Sequence, residues 1–180
     1  MESNPWKTIE TEIVYSNNWV DVKHSKVINP VGNDGIYGIV HFKNIAAAII
    51  PIDADMNTYL VGQFRYPLNE YSWEVPMGGS PLVENPIEGA KRELKEETGL
   101  VAEKWTEIAK IHTSNCVCDE IGYVYLAENI SQHESVPDET EQLTIKKLPF
   151  REVLNMVMEN RITDSISQIA ILKVARILGL

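Results

Sequence analysis

The eight residues IAAAIIPI, 45 to 52, form the longest apolar run in this 180-residue chain. Such a run is driven out of water, yet it falls well short of the roughly 20 residues that carry a helix across a bilayer. It is followed by ADMN at 54 to 57 and by the β-prone TYLVGQFRYP at 58 to 67. The three segments read as a buried strand, a tight turn and a second strand.

The flanks extend this β-rich pattern. Upstream, TEIVYS, WVDVKHSKVI and GIYGIVHF are broken by Asn17-Asn18 and by NPVGNDG, whose Asn, Pro and Gly form turns. They predict a strand followed by a hairpin, together a small antiparallel β unit over 1–43. Residues 44–180 are assigned to the main domain. Within it EYSWEVPMGGSPLVEN, 70 to 85, reads as a loop, and WTEIAKIHT, EIGYVYLAE and LTIKKLP read as strands. NISQHESVPDETEQ, 129 to 142, is a long polar, acidic stretch. FREVLNMVMEN repeats apolar residues with helical period, and DSISQIAILKVARIL follows Asp164, a good cap. Mixed strands with three helices imply an α/β sandwich.

Charge narrows the partners. Sixteen basic against 26 acidic residues give a net charge of −10, and the basic residues are scattered. Long nucleic acids and anionic membranes are therefore poor partners. An acidic protein can still act on phosphates once it holds a divalent cation, which becomes the largest local positive charge. MESNPWKTIE lacks the apolar stretch of a signal peptide, so a soluble, cytoplasmic protein is expected. Cys116 and Cys118 are the only cysteines. With His112 they fall short of four zinc ligands, so two reduced thiols in a loop are expected.

The remaining helix, first in chain order, carries the chemistry. Asn85 is placed to cap it, Pro86 suits its first turn, Glu88 sits three residues after the cap as in a capping box, and Gly99 closes it. Ile87, Ala90, Leu94 and, beyond the end, Ala102 give it an apolar side. RELKEETGL, 92 to 100, then puts three glutamates into nine residues. Glu93, Glu96 and Glu97 stand at i, i+3 and i+4, so their carboxylates share one face and repel. One reading is a solvated face relieved by Arg92 and Lys95. The other is a site for a hard cation that takes oxygen ligands, Mg²⁺ or Mn²⁺, fed by the backbone groups of the preceding PMGG.

The whole stretch GGSPLVENPIEGAKRELKEETGL, Gly78 to Leu100, resembles a complete Nudix box. Gly78, Glu84, Arg92, Glu93, Glu96, Glu97 and Gly99 match its fixed positions, and Leu94 and Leu100 its apolar ones. Seven matches at ordinary residue frequencies arise by chance on the order of once in a million, which leaves the solvated-face reading little room. VGQFRYPLNEYSWEVPMGG, the N-terminal unit and DEIGYVYLAE are similar to the ADP-ribose pyrophosphatase and nucleoside diphosphate sugar hydrolase branch. The resemblance implies a Nudix-type α/β/α sandwich with a mixed sheet plus the small N-terminal unit, and a homodimer formed through that unit.

It also implies roles. Glu93 and Glu97 would be the principal metal ligands, with Glu96 in the metal shell and the Met77 backbone carbonyl beside them. Glu84 would act through water or through Arg92, itself a buried orienting partner. Gly78 and Gly99 would be structural. The general base would come from the acidic loop, which offers Asp138, Glu139 and Glu141; Glu141 is preferred and Glu139 second. Arg65 in QFRYP is suited to a phosphate and Glu74 in WEVP to sugar hydroxyls, although each would serve equally as a salt-bridge residue. Trp19 would stack on a nucleobase or lie in a core, and Trp73 beside the box is expected to pack.

The expected reaction is Mg²⁺-dependent hydrolysis of the diphosphate of ADP-ribose or another nucleoside diphosphate sugar to a nucleoside monophosphate and a sugar phosphate. TSNCVCDE, 113 to 120, stands where this branch commonly has a proline turn, and Met77 replaces a smaller residue. The first departure widens the substrates to GDP-mannose or ADP-glucose, and the second would narrow the site. Hydrolysis of nucleoside triphosphates or dinucleoside polyphosphates, and non-catalytic sensing of a nucleotide sugar, remain as alternatives.

Overall fold

A computed structural model describes residues 3–134 and 143–180. It divides into two compact units, one running through Asn44 and including His112–Glu120, the other comprising Ile45–Ile111 and Ile121–Leu180.

The first unit is an antiparallel sheet of β1 (Lys7–Ser16), β2 (Val20–Ile28) and β3 (Asp34–Phe42) in the order β1-β2-β3. Asn17 shapes the first turn, its side-chain oxygen accepting from the Trp19 and Val20 N–H groups at 2.8 Å each. Asn29 shapes the second in the same way through Val31 and Asn33. Residues 112–120, which the sequence assigns to the main domain, are bound into this unit. The Val40 N–H donates to Val117 O at 2.9 Å, Tyr37 Oη donates to Cys116 O at 2.7 Å, and His41 Nδ1 lies 2.6 Å from Asp119. Cys116 and Cys118 are free thiols.

The second unit holds β4 (Asn44–Pro51), β5 (Asn57–Arg65), β6 (Glu70–Glu74), β7 (Met77–Pro81), α1 (Pro86–Thr98), β8 (Leu100–His112), β9 (Ile121–Gln132), β10 (Thr144–Pro149), α2 (Phe150–Met158) and α3 (Ser165–Ile177). The strands form two sheets, β10-β5-β6 and β7-β4-β9-β8, with β4 and β9 parallel. The apolar run of β4 is consumed on both faces. Ala48 and Ile50 face a cluster with Phe150 and Val153 of α2 and Ala170, Ile171 and Val174 of α3, while Ala47 and Ile49 face Ala90 and Leu94 of α1. Period-two alternation within one strand thus fixes helices on both sides. The result is the α/β/α sandwich with a mixed sheet, alongside the antiparallel N-terminal unit. Among the described residues, no helix is long and apolar enough to cross a membrane.

The segment read as a loop is structured. Residues 70–74 and 77–81 are strands despite Pro76 and the Gly78-Gly79 pair. Sheet partners override weak local propensity here: β6 pairs with β5 from Glu70 opposite Arg65 to Glu74 opposite Val61. Trp73 packs against the α2/α3 cluster, and the Lys146 ammonium lies 3.9 Å from its ring centre.

Candidate active site

The caps of α1 form as the sequence predicts. Asn85 Oδ1 accepts from the Ile87 N–H, Pro86 opens the first turn, and Gly99 at φ 71° ends the helix with its N–H on Lys95 O at 2.8 Å. That left-handed conformation is open to glycine with little steric cost. Glu88 departs from the capping box and pairs with Lys91 at 2.7 Å, one turn along the surface.

Leu94 and Ala90 are fully buried against the sheet, which sets the rotation of the helix and turns its glutamates toward β7. Glu97 is buried, and its Oε2 accepts from the Met77 N–H at 3.0 Å. Glu93 stands against Gly78, where any Cβ would overlap its carboxylate. A side chain at 78 would therefore push the Glu93 carboxylate out of this position. The same crowding holds one turn earlier, where Gly89 faces Ser80 at a distance that a Cβ would violate. Ser80 Oγ in turn donates to Glu84 at 3.0 Å.

Arg92 ties these groups together. Its Nη1 donates to Glu93 at 2.7 Å and Glu96 at 3.2 Å, its Nη2 donates to Gly79 O at 2.9 Å, and Glu84 lies 4.0 Å away. The side chain bridges α1 and β7, but it is not buried as expected: 40% of it is exposed. Its acceptors lie along the outer edge of α1 and β7, and reaching them keeps the guanidinium at the surface. Desolvation acts to lower its pKa, and the neighbouring Glu93 and Glu96 outweigh that and raise it.

Arg65 and Glu74 are brought together as a pair. Arg65 Nε donates to Glu74 Oε1 at 2.9 Å, and Nη2 donates to Oε2 in the second arm of the fork. Glu74 is buried, and its fork is the main reason that the Arg65 pKa is raised. The charges of Asp164 and Glu97 act on Arg65 in the same direction. Trp73 packs, as expected, whereas Trp19 is 66% exposed at the β1–β2 turn and has no place in a core. Asp138, Glu139 and Glu141 lie outside the described residues.

Gly89 and Ser80 escape the sequence reading, as does the pairing of Arg65 with Glu74, each of which the sequence offers as a salt-bridge residue without a partner. Gly89 left a trace, since a glycine inside a helix costs about 1 kcal/mol against alanine and signals a close approach. Ser80 left none, and the strand register places Glu70 rather than Glu74 opposite Arg65, so the fork depends on side-chain reach.

The NUDIX domain matches residues 42–166 of this chain, most of its length. The chain belongs to the Nudix family. A second match, to the nucleoside diphosphate sugar hydrolase N-terminal domain, covers residues 6–40. Among its relatives, a methanol dehydrogenase activator of Bacillus methanolicus is 34% identical, covering 92% of this chain and 90% of that protein. An ADP-ribose pyrophosphatase of Bacillus subtilis (strain 168) is 32% identical, covering 95% and 93%. A crystal structure of an ADP compounds hydrolase aligns with a TM-score of 0.88 over 99% of this chain and 97% of that one; at 19% identity it shows a shared fold.

Nudix hydrolases generally use divalent metal ions. The donors at α1 and β7 fit one chemically, since Glu93, Glu96, Glu97 and the adjacent backbone offer only hard oxygens, and Gly78 leaves room for Glu93. They are not a ready-made cage: among the described residues no three acidic, imidazole or thiol groups are gathered at ligating separations. Arg92 is in contact with Glu93 and Glu96. Gly78→Ala is expected to displace Glu93 and weaken Mn²⁺ binding by roughly tenfold to a hundredfold, read by Mn²⁺ electron paramagnetic resonance on the nucleotide-free protein. Unchanged binding in a folded variant would show that Glu93 needs no room at Gly78.

Proposed function

We propose that this Nudix protein hydrolyses the diphosphate of ADP-ribose or of another nucleoside diphosphate sugar, such as ADP-glucose or GDP-mannose, using Mg²⁺, with Mn²⁺ as a substitute. The products are a nucleoside monophosphate and a sugar phosphate. The observation that carries this reading is the Glu97–Met77 contact, which joins the carboxylate face of α1 to the backbone of the box. The two matched domains, one of them described by nucleoside diphosphate sugars, support the substrate class, as does the name of the Bacillus subtilis relative.

Water adds across the P–O–P bridge: its oxygen bonds one phosphorus, and the bridging oxygen leaves with the other phosphate. A bound divalent ion would supply charge neutralisation on both phosphates and lower the pKa of water. Glu93, Glu97, Glu96 and the Met77 carbonyl are the proposed ligands. Glu141, with Glu139 second, is the proposed acceptor of the water proton. Arg92 and Glu84 hold Glu93 and Glu96 in register. Arg65 has its Nε and Nη2 fixed by Glu74, so a phosphate would meet Nη1. Glu74, being buried in that fork, serves by orienting Arg65 rather than by meeting sugar hydroxyls.

Incubation with ADP-ribose, ADP-glucose, GDP-mannose and a nucleoside triphosphate, each with Mg²⁺ and product identification, tests the proposal. At least one nucleotide sugar should be split into the two monophosphates; cleavage of the triphosphate alone would contradict it. Glu97→Gln keeps a side-chain oxygen for the Met77 N–H but removes the charge, so kcat should fall at least about a hundredfold with little loss of thermal stability.

We also propose that the first unit pairs with a second copy of the chain. All ten residues of β1 are exposed, presenting Ile9, Ile13, Val14 and Tyr15, and Trp19 stands out beside them. Apolar area of this kind on an edge strand invites a partner. Sedimentation should give a dimer, and Ile13→Asp with Tyr15→Asp should give a monomer; a natural chain that sediments as a monomer would refute the pairing.

A further inference from the structure

The three residues between β6 and the box are held by three separate elements. The Val75 N–H donates to Ser167 Oγ of α3 at 3.0 Å, Pro76 O accepts from the Ile49 N–H of β4 at 2.9 Å, and the Met77 N–H donates to Glu97 of α1 at 3.0 Å. Two of these anchors belong to the sheet and to the Nudix helix. The third comes from a helix more than 60 residues beyond the box, and nothing in the box motif calls for it.

Ser167 is fully buried, as is Val75. It sits in the first turn of α3, where Asp164 caps the helix by accepting from the Ser167 N–H at 2.7 Å. The cap fixes the backbone of Ser167, and the buried site fixes its hydroxyl. Removing that oxygen would leave a buried N–H without its acceptor, a cost that the chain relieves by moving. The segment that would move is the one that carries the Met77 carbonyl, since Val75 and Met77 are separated only by Pro76.

We infer that Ser167 is a positioning residue for the divalent-ion site: through the Val75 N–H it sets where β7 presents the Met77 carbonyl to the carboxylates of α1. This rests on the metal-dependent reading above. Ser167 touches no substrate and acts through the backbone, as partners outside the ligand shell do when they tune a metal site.

The test is Mn²⁺ binding by the full-length, nucleotide-free protein, read by electron paramagnetic resonance. Ser167→Ala should raise the Mn²⁺ dissociation constant about tenfold or more, and KM for the nucleotide sugar at saturating metal should stay within about twofold. Ser167→Thr and Ser167→Val are matched in shape and differ only in the hydroxyl, so they decide the matter if the alanine variant folds poorly. Threonine should bind Mn²⁺ far better than valine. Wild-type Mn²⁺ affinity in folded Ser167→Ala, or equal affinities for the threonine and valine variants, would overturn the inference. Because this readout contains no nucleotide, a chain that binds Mn²⁺ through Ser167 yet splits no nucleotide sugar would refute the substrate reading and leave this one standing.

Discussion

The hydrogen bond from the Met77 N–H to the buried carboxylate of Glu97 is the contact on which the site depends. A carboxylate with 4% exposure is costly to bury unless it is paired, and here a backbone donor helps to meet that demand. Where α1 and β7 approach, a Cβ at 78 would displace the Glu93 carboxylate and one at 89 would meet Ser80. Everything that orients α1 therefore orients the site. Leu94 and Ala90 fix its rotation against β4, Gly99 fixes where it ends, and Arg92 spans its outer edge to Gly79, Glu93 and Glu96.

The two faces of β4 make this arrangement stable. One face supports α1 and the other supports α2 and α3, so the glutamate helix and the helix that bears Ser167 pack on opposite sides of one strand. Their side chains nevertheless converge on the residues between β6 and β7, from Glu97 on one side and Ser167 on the other. A site assembled on packed helices and strands holds its ligands more tightly in place than one built on loops.

Local features of the fold were legible in the sequence. The caps of α1 and α3, the apolar positions of α1 and the buried strand β4 follow from short-range rules, and each appears where the residues put it. Three features depended on partners distant in sequence. Residues 70–74 and 77–81 become strands because neighbours pair with them, against the preference of Pro76 and two glycines. The Arg65–Glu74 fork follows from side-chain reach along paired strands, which composition does not encode. Residues 112–120 join the N-terminal unit through single contacts such as Tyr37 with Cys116 O. The box glutamates were found as a set, whereas the pairing of Glu97 with a backbone N–H required the strand to be in place.

The central claim is that Glu93 and Glu97 of α1, with the Met77 carbonyl, hold the ion that makes diphosphate hydrolysis feasible. Anomalous diffraction at the manganese edge from crystals grown with Mn²⁺ measures this directly. The expected result is a peak bonded to oxygens of Glu93, Glu97 and Met77 at roughly 2.0 to 2.6 Å, the range for hard cations with oxygen ligands. A peak elsewhere in the chain, or Glu93 and Glu96 still held by Arg92 while the ion sits on other residues, would contradict it.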